Sequence, residues 1–118
     1  MNETRARELV AAERARIESM LVGVTGEIRA DGLLQGQQTG EYADAGTAVE
    51  TETVALAREA DLRRQLDDVV RAEQRIEAGS YGISVESGFP IPDARLEIEP
   101  LAERTVEEQT SLELAHPR

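Results

Sequence analysis

The chain has no cysteine, no tryptophan and no lysine, and only 3% of its 118 residues are aromatic. Without cysteine there are neither disulfides nor reduced thiols, so the composition leaves the redox compartment undetermined. The few aromatic side chains, together with a charged content of 31%, argue against a large globular core. An elongated helical protein fits this composition better.

Positive charge is also scarce. All 13 basic residues are arginines and 24 residues are acidic, which gives a formal net charge of -11. This charge would repel nucleic-acid phosphates, and no basic run with interleaved aromatic residues overrides it locally. We therefore predict no direct nucleic-acid binding. Because no signal peptide and no apolar run of transmembrane length occur, we expect a cytoplasmic protein with no membrane partner.

Two stretches repeat apolar residues at the three- and four-residue steps of an amphipathic helix. The first runs from about residue 3 to about residue 30 and can be capped by Asn2 or Thr4. Its apolar stripe is Leu9, Ala12, Ile17, Met20, Val24 and Ile28. The second begins at Thr47, which forms a capping box with Glu50. Its stripe is Leu56, Leu62, Leu66, Val69, Ala72 and Ile76.

Residues 30–46 separate these stretches and are rich in glycine and polar side chains, which is typical of a loop. Two helices of equal length with a short connection predict an antiparallel coiled-coil hairpin. We place this hairpin at residues 1–78, with its tip at about 31–46. The fold is therefore predicted to be mainly α.

The pattern changes after Gly79. Tyr81, Ile83 and Val85 alternate as in an extended strand, a turn follows, and two prolines exclude a further helix at once. A small globular domain is expected at 79–113, with a short helix from near Pro100 and a frayed tail at 114–118. Its apolar core is predicted from Phe89, Ile91, Leu96, Ile98, Leu101 and Val106.

Residues 81–97 read Tyr-Gly-x-Ser-x-x-Ser-Gly-x-Pro-Ile-Pro-x-Ala-Arg-Leu-Glu. This pattern resembles the C-terminal segment of the DksA/TraR family, bacterial factors that bind RNA polymerase. The resemblance covers roughly residues 41 to 110, and residues 1 to 40 match only as one long helix. It implies a transcriptional regulator whose helical hairpin enters the secondary channel of the polymerase.

In that family four cysteines hold one zinc ion. The matching positions here are Ser84, Ser87, Thr105 and Glu108, which keep the spacing of a four-cysteine zinc ribbon. Structural zinc sites need deprotonated sulfur or imidazole ligands, and hydroxyl groups with one carboxylate are poor replacements. We therefore predict a degenerate, zinc-free domain that needs no cofactor.

The resemblance also implies candidate partner-binding residues. In the family's tip motif an acidic tip approaches the polymerase active centre and modulates initiation. Asp44 matches the second acid of this motif, whereas Glu41 stands at its first aspartate and Gly46 at its alanine. At the base, Arg95 and Leu96 are candidate polymerase anchors, because arginine and apolar side chains dominate protein interfaces. Asp44 has a simpler interpretation as well, because an acidic residue there can favour the N-terminal dipole of the second helix.

Some members of the family bind a guanosine tetraphosphate alarmone through basic side chains. The matching positions in this chain are Asp68, Glu99 and Gln109, and none of these residues is basic. The resemblance therefore does not extend to this effector.

The sequence shows no enzyme signature, because nucleophiles with a base, phosphate-binding glycine loops and metal clusters are all missing. We predict a monomeric, non-catalytic protein. The alternative to a polymerase factor is a coiled-coil adaptor that dimerises or holds an unrelated protein. A free, exposed tip distinguishes the first hypothesis, because a dimer formed through the hairpin would hide it.

Overall fold

The structure, a computed structural model, describes residues 1–37 and 45–116, with side chains in 1–29 and 53–116. Four helices account for most of it: α1 (Glu3–Gln37), α2 (Ala45–Ala78), α3 (Asp93–Ile98) and α4 (Val106–Ala115). Within these residues no strand forms, and the predicted strand is reduced to one antiparallel bridge between Ile83 and Pro90. The prediction of a mainly helical fold is confirmed.

The start of α1 follows from its cap. The Oδ1 atom of Asn2 accepts a hydrogen bond from the backbone N–H of Arg5 at 2.7 Å. This contact satisfies one of the N–H groups that the first turn leaves without a helical partner. One turn further on, Arg7 forms an ion pair with Glu3 at 2.6 Å, as the spacing predicts.

The end of α1 lies beyond its predicted position. The helix continues past Ala30 and through Gly32 and Gly36 to Gln37, where the sequence predicted a loop. A glycine inside a helix costs only about 1 kcal/mol relative to alanine. The leucine and glutamine residues around these glycines are good helix formers and can offset that cost.

The second helix begins at Ala45 and so includes Thr47, which the sequence placed at the cap. Its end is set by Gly79, whose φ angle of 75° is unfavourable for other residues. The N–H groups of Gly79 and Ser80 donate to the carbonyl groups of Ile76 and Arg75, at 3.1 and 2.9 Å. These two bonds form a Schellman motif, which closes the C-terminus of the helix.

The chain divides into two compact units. The hairpin unit comprises Arg14–Asp67, and the base unit comprises Met1–Glu13 together with Asp68–Arg118. Segments of α1 and α2 contribute to each unit.

A narrow apolar seam forms the core of the hairpin unit. Among residues 14–29 and 53–67 the buried residues recur at seven-residue steps: Ile17 and Val24 in α1, and Ala55 and Leu62 in α2. This repeat is typical of a coiled coil. Met20 and Leu56, which the sequence placed in the stripes, are exposed. Leu56 directly follows the buried Ala55, and one residue turns a helix by about 100°.

Helix segments also supply much of the core of the base unit. Its buried helical residues are Ala6, Val10, Val69, Ala72 and Ile76. The segment from Gly79 to His116, which we call the base segment, adds Ile91 and Leu96. Phe89, Ile98 and Val106 were predicted to join this core and are exposed instead. The apolar core of the base segment is therefore smaller than predicted.

Two helix starts in the base segment differ from the prediction. Helix α3 begins directly after Pro92, because the carbonyl group of this proline still accepts hydrogen bonds from the N–H groups of Arg95 and Leu96. The last helix begins at Val106 and not near Pro100, because Thr105 forms its N-cap. No helix within residues 1–37 and 45–116 is both long and apolar enough to span a membrane.

Candidate functional site

The predicted tip is only partly within the described residues. Glu41 and Asp44 lie outside them, and their part in partner binding stays a prediction. Gly46 lies in the first turn of α2, which begins at Ala45, the residue after Asp44. An acidic residue just before a helix is well placed to cap it, so the two interpretations of Asp44 must be separated by experiment.

The first pair of degenerate zinc positions lies in a tight turn. The hydroxyl oxygen of Ser84 accepts hydrogen bonds from the N–H groups of Glu86 and Ser87, at 3.1 and 3.2 Å. The hydroxyl oxygen of Ser87 accepts from the N–H of Phe89 at 3.2 Å. Gly88 completes the turn with a φ angle of 77°. Both serine hydroxyls thus accept hydrogen bonds from backbone N–H groups of the same turn.

The second pair forms the start of α4. Thr105 is the N-cap, and its hydroxyl oxygen accepts a hydrogen bond from the N–H of Glu108 at 3.2 Å. In return the carboxylate of Glu108 accepts from the N–H of Thr105 at 2.9 Å. This is a capping box, and the Thr-x-x-Glu spacing is a known sequence signal for it. The zinc-ribbon spacing of these two residues concealed this signal, so the predicted start of the helix, near Pro100, was wrong.

The carboxylate of Glu108 accepts a hydrogen bond from the backbone N–H of Thr105 at 2.9 Å. This contact is the first cause of a lowered pKa for Glu108, followed by the side chains of Ser87 and Ser84. Hydrogen bonds to an ionised carboxylate favour the charged form. Together they lower the pKa of Glu108 from its ordinary value of 4.5 to about 2.

This arrangement does not fit a structural zinc ion. Zinc sites of this type need four thiolate or imidazole ligands in a closed tetrahedron, whereas the cluster offers three hydroxyl groups and one carboxylate. The polar atoms are also engaged with one another and with backbone N–H groups. Elsewhere in the described part of the chain, no group of three or more His, Cys, Asp or Glu residues could hold a metal ion.

Arg95 and Leu96, the predicted polymerase contacts of the base segment, are mostly buried in the free protein. Leu96 is only 1% exposed, so it presents no surface to a partner in the free protein. The Nε atom of Arg95 donates to the carbonyl oxygen of Arg104 at 2.9 Å, and its Nη1 pairs with Glu99 at 3.3 Å. Binding of a partner by Arg95 and Leu96 stays a prediction. The accessible apolar side chains nearby in sequence are Ile98, which is 81% exposed, and Phe89, which is 69% exposed.

The three positions that match the family's nucleotide contacts are also occupied by local interactions. Asp68 forms an ion pair with Arg71, and Glu99 forms one with Arg95. The side-chain amide of Gln109 donates to Glu113 at 3.1 Å. Two acids and one amide therefore stand where a phosphate-binding site would need cations.

An arginine and glutamate network was not foreseen from the sequence. Glu103 pairs with Arg71 at 3.2 Å and with Arg75 at 3.4 Å. Burial lowers the pKa of Arg75, and the nearby Glu103 carboxylate opposes this effect. Because Glu103 lies 32 residues after Arg71, no local spacing indicates the contact. It ties the loop before α4 to the end of α2.

A second long-range contact joins α1 to α3. The Nε atom of Arg5 donates to the carboxylate of Glu97 at 2.9 Å, across 92 residues of sequence. This hydrogen bond is the first cause of a raised pKa for Arg5 and of a lowered pKa for Glu97. Both side chains are partly exposed, so this ion pair contributes little to the free energy of folding.

Comparison with known proteins finds relatives among bacterial stress and transcription proteins. General stress protein 16O of Bacillus subtilis is 36% identical over 105 residues, which are 88% of this chain and 60% of that protein. The RNA polymerase-binding transcription factor DksA of Caulobacter vibrioides is 38% identical over 76 residues, which are 62% of this chain and 54% of that protein. The chain thus spans between half and two thirds of the length of these relatives.

A solved structure supports the same grouping at the level of the fold. The transcription factor DksA2 of Pseudomonas aeruginosa matches with a TM-score of 0.81, over 98% of this chain and 86% of that chain. Sequence identity in this match is 24%, so it shows the fold alone. Comparison with models of known protein families gives no match.

Proposed function

Since the chain belongs to the DksA/TraR family, we propose that it is a non-catalytic transcriptional regulator that binds RNA polymerase. The observation that carries this proposal is its 38% identity to a curated RNA polymerase-binding factor. The fold match to DksA2 supports it, because a regulator of this kind needs the same helical framework.

We further propose that the hairpin enters the secondary channel of the polymerase and brings Glu41, Asp44 and Gly46 toward the active centre. A carboxylate carried there can act electrostatically on a metal-bound catalytic centre or on a mobile loop. It can do so without base contacts, which is consistent with the net charge of -11. The effect on initiation then comes from the charge at Asp44.

At the base, Arg95 and Leu96 are proposed to shape the surface that docks on the polymerase. Leu96 supports this surface from within, while the exposed edge of Arg95 can make a direct contact. Arginine is enriched at the residues that dominate binding energy in protein interfaces. Exposed apolar neighbours such as Phe89 and Ile98 are available to extend the contact.

We propose that the protein acts as a monomer, because a dimer formed through the hairpin would cover the tip. Light scattering of the purified protein measures this directly. A stable dimer whose formation blocks polymerase binding would favour the coiled-coil adaptor instead.

The proposal is tested by binding of the purified chain to purified RNA polymerase of the same organism. We expect co-elution in gel filtration and a dissociation constant at or below the micromolar range. Absence of binding at micromolar concentration, with a folded protein, would contradict the proposal.

A further inference from the structure

A groove runs between α1 and α2 within the base unit, and we call it the basal groove. Two cavities of about 340 and 380 Å³ lie along it, and both are lined by Ile76 and Glu77. Its floor is apolar, since it is formed by Ala6, Val10 and Ile76, which are all buried. The groove therefore offers an apolar surface that is open to solvent between two helices.

The rim of the basal groove is acidic. Its charged side chains are three carboxylates, those of Glu3, Glu73 and Glu77, and one guanidinium, that of Arg7. Arg7 reaches from α1 to α2: its Nη2 atom lies 2.6 Å from the carboxylate of Glu3 and 2.9 Å from that of Glu77. One cation thus lies among three acids, and the rim attracts positive charge.

The basal groove is separate from the surface that matches the family's nucleotide contacts. Glu77 follows Asp68 by nine residues, and nine steps of about 100° place two side chains on opposite sides of a helix. Glu73 is about 200° around α2 from Arg71, which pairs with Glu103 of the base segment. The loop before α4 therefore leaves the groove uncovered.

We infer that the basal groove docks a basic segment of RNA polymerase, whose arginine or lysine side chain takes the place that Arg7 holds in the free protein. This inference rests on the proposed function, because a hairpin that enters a channel is enclosed on more than one side. Arginine and lysine combine an apolar stem with a charged head. The stem lies on the apolar floor, and the head pairs with the carboxylates of Glu3 and Glu77.

The chemistry of the groove argues against other occupants. An acidic rim repels phosphates, so neither a nucleic acid nor a nucleotide fits. Cavities that hold drug-sized ligands run from about 300 to 1,000 Å³, and these two lie at the lower end of that range. They suit single side chains of a protein partner better. Ala11 and Ala78, which line the groove and are exposed, are small enough to leave room for them.

Arg7 is easily exchanged for a cation of the partner. Its side chain is 50% exposed, and those of Glu3 and Glu77 are 65% and 72% exposed. Ion pairs at such exposed sites contribute little to stability, so breaking them costs little. A side chain of the partner that also covers the floor forms the same pairs and adds an apolar contact. An interhelical ion pair with no further role predicts no such exchange.

Removing Arg7 should strengthen binding to purified polymerase of the same organism. In Arg7→Gln the carboxylates of Glu3 and Glu77 no longer have to be released, so we expect the affinity to rise by about two- to fivefold. This gain should vanish when Arg7→Gln is combined with Glu77→Gln, because the carboxylate in question is then absent. Fluorescence anisotropy of the labelled chain measures all three affinities. An unchanged or weaker affinity of Arg7→Gln would overturn the exchange.

The carboxylate on the other side of the groove gives the opposite result. Glu77→Gln should weaken binding by about tenfold, the effect of one lost hydrogen bond to a charged group. Glu77→Asp is the matched control, since it shortens the side chain and keeps the charge, and it should lose less affinity than Glu77→Gln. Equal losses in the two variants would show that the charge of Glu77 is not what the polymerase recognises.

Filling the groove tests the apolar floor without changing any charge. Ala11→Tyr places a large side chain on an exposed helical position and should weaken binding by about tenfold through overpacking. Circular dichroism and the melting temperature show whether the variant is folded, and if it is not, Arg7→Gln and Glu77→Gln still decide the matter. A wild type that does not bind polymerase contradicts the proposed function and this inference with it. A wild type that binds, together with groove variants that bind equally well, overturns the inference alone.

Discussion

The hairpin unit and the base segment bury different kinds of side chain. In the hairpin unit, among residues 14–29 and 53–67, the buried residues are all apolar and recur at seven-residue steps, as at Ile17 and Val24. In the base segment few apolar residues are buried, and the buried Ser84 accepts hydrogen bonds from the backbone N–H groups of Glu86 and Ser87. Apolar packing tolerates changes of pH and depends on volume. A polar network depends on protonation and on each partner being present.

The largest expected effect is in the apolar seam. Leu62→Ala should reduce the free energy of unfolding by about 2 to 5 kcal/mol, because it removes a fully buried side chain and leaves a cavity. Leu56→Ala is the matched control in the same helix: Leu56 is 49% exposed and Leu62 is 2% exposed. Its substitution should change the free energy of unfolding by about 0.5 kcal/mol or less. Chemical denaturation measures both.

Equal losses for the two leucines would show that Leu56 contributes to the buried seam as much as Leu62 does. In that case the stripe read from the sequence, which included both leucines, would describe the helix better than the seven-residue repeat does.

Acid should act on the base segment through Glu108. Its pKa is about 2 in the folded protein and 4.5 in its ordinary state, so the folded state favours the ionised form. The stability that it contributes is complete above pH 4.5 and is lost as the pH falls toward 2. We expect amide signals of the turn at 84–89 to broaden or shift in this range.

Glu108→Gln is the control for this pH dependence, because it has no carboxyl group to titrate at that position. The pH dependence between 4.5 and 2 should be weaker in this variant. Identical acid unfolding curves for the wild type and Glu108→Gln would show that other carboxylates govern the transition.

Zinc and chelators should have no measurable effect on the melting temperature. Structural zinc in small peptides contributes about 10 to 16 kcal/mol of folding free energy, so a hidden zinc site would be obvious. Metal analysis of the purified protein and a thermal melt with and without chelator test this prediction. Stoichiometric zinc, or a melting temperature that drops in chelator, would contradict it.

Guanosine tetraphosphate should not alter the effect of this protein on transcription. Asp68 and Glu99 would repel the phosphates, and Gln109 offers no positive charge. Transcription by the polymerase of the same organism is measured with and without the nucleotide, in the presence and absence of the protein. A large enhancement that needs both together would refute this prediction.

The sequence predicted the paired helices well because their signal is local. Steps of three, four and seven residues place Ile17, Val24 and Leu62 on a buried face, and the Asn2 cap lies at the expected end. The sequence wrongly placed Met20 and Leu56 in the buried stripes, because apolar residues also occupy neighbouring positions on each helix. Only the partner helix selects one of them.

The base segment was less predictable because its contacts are polar and distant in sequence. The four degenerate zinc positions were identified through the family resemblance, and the structure engages each of them in hydrogen bonds to backbone N–H groups. What they do there could not be derived, since hydroxyl and carboxylate groups have many possible partners. Thr105 and Glu108 carried a readable capping signal, whereas the contact of Glu103 with Arg75 had none.

The central claim is that this chain binds RNA polymerase and acts through the charge of Asp44. The measurement is polymerase affinity and promoter-complex lifetime for the wild type and Asp44→Asn, side by side. Asparagine keeps the size and capping ability of aspartate, and an exposed charge contributes below about 1 kcal/mol to binding. We expect micromolar or tighter binding by both proteins and a changed promoter-complex lifetime only with the wild type. A wild type that does not bind, or a variant that binds and acts identically, would contradict the account.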